Sequence, residues 1–67
     1  MQIDGNRLRK LREDNFLGTR ELARKAGVNH ATIVRLESQD RVGVLPRTLR
    51  KLASALDVDP KTLRADR

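Results

Sequence analysis

The sequence is short of the residues that build disulfide frameworks, metal centres and membrane helices. Its 67 residues include no cysteine and one histidine, His30. Neither a disulfide framework nor a thiolate zinc site is therefore available, and one histidine cannot form a metal site alone. No run approaches the ~18 consecutive apolar residues of a membrane span. We therefore expect one soluble, cytoplasmic domain over residues 1–67, with no cofactor, no small-molecule ligand and no membrane partner.

Aromatic residues are almost absent as well, because Phe16 is the only one. Proteins that bind single-stranded nucleic acid usually stack the bases on exposed aromatic side chains. The chain nevertheless carries 15 Lys and Arg against 9 Asp and Glu, a net charge of +6. A basic domain suits a polyanionic partner, although the same charge can serve solubility alone. The composition therefore favours duplex DNA over a single strand.

Residue sets typical of catalysis are missing from the sequence. There is no combination of nucleophile, base and orienting group, no cluster of metal ligands and no glycine-rich phosphate loop. Asp57 and Asp59 lie two positions apart, but a helix cap at Asp59 explains the second of them. The sequence predicts that the protein is not an enzyme.

Helical periodicity is the strongest pattern that the sequence does contain. In residues 49–56, apolar side chains occupy the i, i+3, i+4 and i+7 positions of one helix face. A second signal recurs four times, an apolar residue on either side of a helix start at the spacing of a hydrophobic staple. The caps at these starts are Asp4, Gly18, Asn29 and Asp59. We predict an all-α chain with helices near 4–14, 19–26, 30–38, 46–57 and 60–65, and with 39–45 as the longest connection.

The second and third predicted helices are joined by a three-residue turn, Gly27-Val28-Asn29. Gly27 can adopt the left-handed conformation that ends a helix, and Asn29 can cap the next one. A short turn with glycine sets two helices at a steep angle, which is the helix-turn-helix arrangement. On the third helix, Ile33 and Leu36 mark the buried side. The exposed side then carries Ala31, Val34, Arg35 and Ser38.

At this level of detail the chain resembles the Cro/C1-type (XRE-like) family of bacterial and phage repressors. The matching motifs are Glu-Leu-Ala at 21–23, Gly27, Ile33 and Leu36-Glu37, and residues 48–58 are similar to the fourth helix of that family. The resemblance covers about residues 5–63. It implies a compact five-helix, lambda-repressor-like fold. It also implies binding to operator DNA as a dimer, with the third helix in the major groove.

The resemblance and the chemistry of the side chains together select the candidate DNA contacts. Arg35 can donate two hydrogen bonds to guanine, while Ala31 and Val34 can pack against thymine methyl groups. The candidates for base contact are His30, Ala31, Thr32, Val34 and Arg35. The candidates for phosphate contact are Thr19, Arg20, Arg24, Ser38, Arg41 and Arg47.

Each of these assignments has a simpler alternative. Arg35 can form an intramolecular pair or contact a phosphate, and the other basic residues can form a solvated charged face. We expect Glu37 to pair with a nearby arginine, because an unpaired carboxylate would repel DNA. A group of apolar residues after the third helix can face a partner, form the seam of a homodimer or cover the core. This group consists of Val42, Val44 and Leu45.

The sequence thus predicts a repressor-like transcriptional regulator that acts as a homodimer on a double-stranded operator. We expect it to be cytoplasmic, and associated with the nucleoid when bound. The same fold could instead serve as a protein-interaction module, such as an antitoxin or an adaptor. Salt dependence separates the two, because contacts to several phosphates weaken steeply as salt rises.

Overall fold

A computed structural model describes residues 1–65, which form five helices and a sheet of two strands. The helices are α1 (Gly5–Asp14), α2 (Thr19–Ala26), α3 (His30–Glu37), α4 (Pro46–Ala55) and α5 (Pro60–Leu63). The strands are β1 (Gln2–Asp4) and β2 (Arg41–Gly43). The five predicted helices are confirmed, although α3, α4 and α5 end one or two residues earlier than expected. Residues 66 and 67, the last two of the predicted domain, lie outside the described part.

The prediction of an all-α chain is wrong in one region, where β1 pairs with β2. The strands are antiparallel, with Ile3 opposite Val42, and an isolated bridge joins Ile3 to Arg64 on its other side. Each strand has three residues, too few for an apolar–polar alternation to stand out in the sequence. Ile3 and Val42 are buried, so the sheet closes the core beside α1 and α5.

Local hydrogen bonds start the helices at the predicted caps. The carboxylates of Asp4 and Asp59 and the side-chain oxygen of Asn29 each accept from a backbone N–H in the first helical turn. Gly18 has no side chain to do this. Its own N–H instead donates to the Glu21 carboxylate over 2.8 Å, which is one half of a capping box.

Three helices are followed, within two residues of their last helical residue, by a residue with a left-handed backbone. Their φ values are 58° at Phe16, 73° at Gly27 and 57° at Asp57. The next residue in each case donates its N–H back to a helical carbonyl at 3.0–3.1 Å and turns its side chain toward the core. Glycine adopts this conformation freely and aspartate tolerates it, whereas a bulky residue costs roughly 1–2 kcal/mol. Phe16 therefore stands in an unfavourable local conformation.

The core consists of aliphatic side chains from the five helices and the sheet. Its largest fully buried members are Ile3, Leu8, Leu22, Ile33, Leu36, Leu49, Leu52 and Leu63. α1 begins directly against the end of α3, because a Cβ added at Gly5 would overlap the backbone oxygens of Leu36 and Gln39. Over residues 1–65 we find no helix with the length and apolar character to span a membrane.

Candidate nucleic-acid interface

α3 presents two different sides, as its sequence predicts. Ile33 and Leu36 are fully buried, while Ala31 and Arg35 are exposed. Val34 is 50% exposed, so packing against a neighbouring element does not cover it. The burial of one side fixes the helix on the domain and leaves the other side open to a partner.

The open side of α3 includes the guanidinium of Arg35. Within residues 1–65, the Arg35 side chain makes no hydrogen bond or ion pair, so the intramolecular alternative is not observed there. Ser38 is the C-cap of α3, and its hydroxyl donates to the Arg35 backbone oxygen over 2.7 Å. Ser38 thus closes the helix beneath Arg35 while the guanidinium stays available.

The first residues of α2 and α3 meet in a side-chain hydrogen bond. Thr19 Oγ1 lies 2.9 Å from His30 Nε2, and the tautomer of the imidazole decides which of the two groups donates. The sequence predicts both residues as DNA contacts but not their pairing. Two helix N-termini therefore lie side by side, where their partial positive charge favours a phosphate.

An ion pair anchors the other end of α3. The Arg12 guanidinium donates to both Glu37 carboxylate oxygens, at 2.7 Å from Nε and 2.9 Å from Nη2. Its third nitrogen donates to the Leu17 backbone oxygen over 2.8 Å. The hydrogen bonds to Glu37 raise the pKa of Arg12 above its ordinary value. The expectation that Glu37 pairs with an arginine is confirmed, and the pair ties α3 to α1 and to the loop before α2.

The six candidates for phosphate contact do not form one cluster. Three of them lie on α2, namely Thr19, Arg20 and Arg24. Both of these arginines are exposed. Arg41 lies on β2 opposite Asp4. It lines a polar pocket with Arg7 and other residues of α1 and α5 rather than with α3.

Arg47 lies on a basic groove between α2 and α4 that sequence reasoning missed. The groove is lined by Lys25, Ala26, Arg47, Arg50, Lys51, Ser54 and Ala55. The helical spacing of α4 places its three basic residues on the polar face, which the sequence does reveal. Lys25 of α2 lies across the groove from these three residues, and this placement depends on how the two helices pack.

The apolar residues after α3 are divided between the core and the surface. Val42 and Val44 belong to the buried core, whereas Leu45 is 57% exposed. The two valines therefore cover the core, which is one of the three roles that the sequence leaves open. Leu45 directly precedes Pro46, which lines an apolar hollow with Met1, Leu49, Pro60 and four charged residues.

Comparison with known proteins gives consistent results. Residues 5–66 match a family model described as a helix-turn-helix domain. The HTH-type transcriptional repressor RghR of Bacillus subtilis (strain 168) is 41% identical over 58 residues, which cover 87% of this chain. These residues cover 43% of that relative, so the chain spans less than half of its length.

A solved structure agrees with the family match. The restriction-modification controller protein C.AhdI from Aeromonas hydrophila superposes with a TM-score of 0.79 at 33% identity, over 87% of this chain and 86% of that one. The names of both proteins describe regulators, which agrees with the prediction that this chain is not an enzyme. The chain belongs to the helix-turn-helix domain family of DNA-binding regulators, and its resemblance to the XRE-like members is confirmed.

Proposed function

We propose that this domain binds a duplex operator sequence-specifically, with α3 in the major groove, and controls transcription as a homodimer in the manner of a repressor. The observation that carries the proposal is the open side of α3, where the Arg35 guanidinium has no partner among residues 1–65 and Val34 stays half exposed. Its opposite side is fully buried. A rigid helix with a free bidentate donor beside an apolar side chain suits the edges of bases in a major groove. We place this activity in the cytoplasm, at the nucleoid.

Arg35 is the strongest candidate for reading a base. Its guanidinium can contact O6 and N7 of one guanine, and Ala31 and Val34 can lie against thymine methyl groups on either side. His30 and Thr32 lie partly buried near the start of α3. These two can contact a base edge or the adjacent backbone.

Phosphate contacts from both ends of the helix-turn-helix unit would hold α3 in register. Thr19, hydrogen-bonded to His30, can work with Arg20 and Arg24 at one backbone strand. Ser38, at the C-terminal end of α3, would approach the other strand. Arg41 and Arg47 line two separate surfaces, so as phosphate contacts they would reach more distant parts of the backbone. Ser38 already donates its hydroxyl to the Arg35 backbone, so it must exchange that partner to donate to a phosphate.

The homodimer is supported by the apolar hollow at the start of α4. Met1 lines this hollow and is 45% exposed, and Leu45, which is 57% exposed, immediately precedes its lining residue Pro46. The same hollow is lined by Arg50, Lys61 and Arg64 and by one carboxylate, Asp59, so the apolar contact and not charge pairing would hold two copies related by a twofold axis. A dimer of this kind would read a palindrome with half-sites about one helical turn apart.

Selection from a pool of random duplexes, at physiological salt and with competitor DNA, tests the proposal. We expect enrichment of a palindrome, and binding that weakens steeply as salt is raised. Leu45→Glu should keep the half-site preference but lose the palindrome. A pool without enrichment, or a DNA affinity that does not depend on salt concentration, would contradict the proposal and favour a protein-interaction module.

A further inference from the structure

Phe16 is the residue whose type least suits its surroundings. It is the only aromatic residue of the chain, it is 92% exposed, and its φ of 58° is one that bulky side chains rarely adopt. The equivalent turn after α4 uses Asp57, and the one after α2 uses Gly27. Either of those residue types would form the turn with less strain. The fold alone therefore gives no reason for a phenylalanine here.

Phe16 lies close in the chain to the proposed DNA interface. Three residues later comes Thr19, which hydrogen-bonds His30 at the paired N-termini of α2 and α3. Three residues of chain span at most roughly 11 Å, so the backbone of Phe16 lies within that distance of Thr19. The loop is also held in place, because the carbonyl of the next residue, Leu17, accepts a hydrogen bond from Arg12 over 2.8 Å.

We propose that Phe16 is a DNA-contacting residue that packs its ring against a deoxyribose of the backbone strand next to the N-terminus of α2. This inference rests on the proposed function. A DNA strand alternates charged phosphates with apolar sugar rings, and basic side chains suit only the phosphates. An aromatic ring beside Thr19 and Arg20 would cover the sugar between them. Because every nucleotide carries this sugar, the contact adds affinity for any duplex and no preference for sequence.

One substitution of Phe16 should change the stability of the free protein and its affinity for DNA in opposite directions. Phe16→Gly should melt at a higher temperature, since it relieves the backbone, yet bind specific and random duplexes roughly 3- to 10-fold more weakly. Asp57→Gly compared with Asp57→Asn is the matched control, because this pair probes an equivalent turn at constant charge. Between these two, the duplex affinity should be equal. Wild-type affinity in Phe16→Gly would overturn the proposal.

Phe16→Trp gives a direct measurement of the contact. The chain has no tryptophan or tyrosine, so the new side chain is the sole strong fluorophore. On saturation with duplex we expect its emission to change and its quenching by acrylamide to fall. Unchanged access to acrylamide in the saturated complex would overturn the contact.

Two further results would overturn the inference in distinguishable ways. If Phe16→Gly lowers self-association in sedimentation without DNA, the ring lies between copies of the chain and not on a sugar. If the wild type binds no duplex at all, the proposed function fails together with the contact. If the wild type binds duplex and the Phe16 variants bind it equally well, only the proposed Phe16 contact is refuted and the proposed function stands.

Discussion

The two sides of α3 differ in what they do for the molecule. On the inner side, Leu36 is fully buried and Glu37 is held by Arg12. On the outer side, Val34 is half exposed and Arg35 has no partner within residues 1–65. One helix of eight residues thus anchors itself with one set of side chains and leaves another set for the recognition that we propose. Substitutions on the inner side should change stability, and those on the outer side should change DNA affinity.

The largest effect should come from breaking the inner ion pair. Glu37→Ala leaves the Arg12 charge partly buried without its partner, and we expect a loss of about 3 kcal/mol in the free energy of unfolding. Chemical denaturation measures it. Arg9→Ala is the control, since it breaks the Arg9–Glu13 pair, whose side chains are 61% and 56% exposed, and leaves the charges around Arg12 in place. That control should lose less than about 0.5 kcal/mol, and equal losses would contradict the assignment.

A second test of the inner side is the contact between α1 and α3. Gly5→Ala places a methyl group where the Leu36 and Gln39 carbonyls lie, and because these are backbone atoms the helices must separate. We expect a destabilisation of about 2–3 kcal/mol in thermal or urea unfolding. Gly43→Ala meets nothing within 4 Å and serves as the control. Similar melting temperatures for both variants would show that α1 and α3 can move apart at little cost in free energy.

The outer side is tested by Arg35→Ala. We expect a loss of about 1–3 kcal/mol in binding to the selected operator, with a relaxed preference at one base pair. The free energy of unfolding should stay within about 0.5 kcal/mol of the wild type, because the side chain is exposed. Fluorescence anisotropy with operator and random duplexes measures the difference. Equal losses on both duplexes would reassign Arg35 to a phosphate.

The smallest effect should come from the phosphate contacts. Arg20→Ala should weaken binding to every duplex and reduce the slope of log affinity against log salt by about one unit. Arg9→Ala provides a control of equal charge change, since Arg9 is already paired with Glu13. The same slope in Arg20→Ala and the wild type would remove Arg20 from the interface.

Much of the helical architecture is predictable because its signals are local. The side chains of Asp4, Asn29 and Asp59 each cap the helix that begins directly after them. The buried positions of α3 likewise follow from the spacing of Ile33 and Leu36 within one helix. Such features need only a few neighbouring residues, so the sequence displays them.

The sheet could not be predicted, because its stability comes from distant residues. Ile3 pairs with Val42, and neither three-residue strand has a local pattern of its own. The same limit applies to the candidate site. The chemistry of Arg35 is visible in its residue type, but the Thr19–His30 bond joins residues 11 positions apart and the Arg12–Glu37 pair joins residues 25 apart. Only packing of the helices brings such groups together.

The three-way bonding of Arg12 has a thermodynamic consequence for complex formation. One guanidinium joins α1, the Leu17 carbonyl and the end of α3 in the free protein. These bonds fix the position of α3 in the free protein, so under the proposed function little conformational entropy remains to be lost on binding. The heat-capacity change of association should then reflect the surfaces that meet, without the larger contribution of a segment that folds on its target.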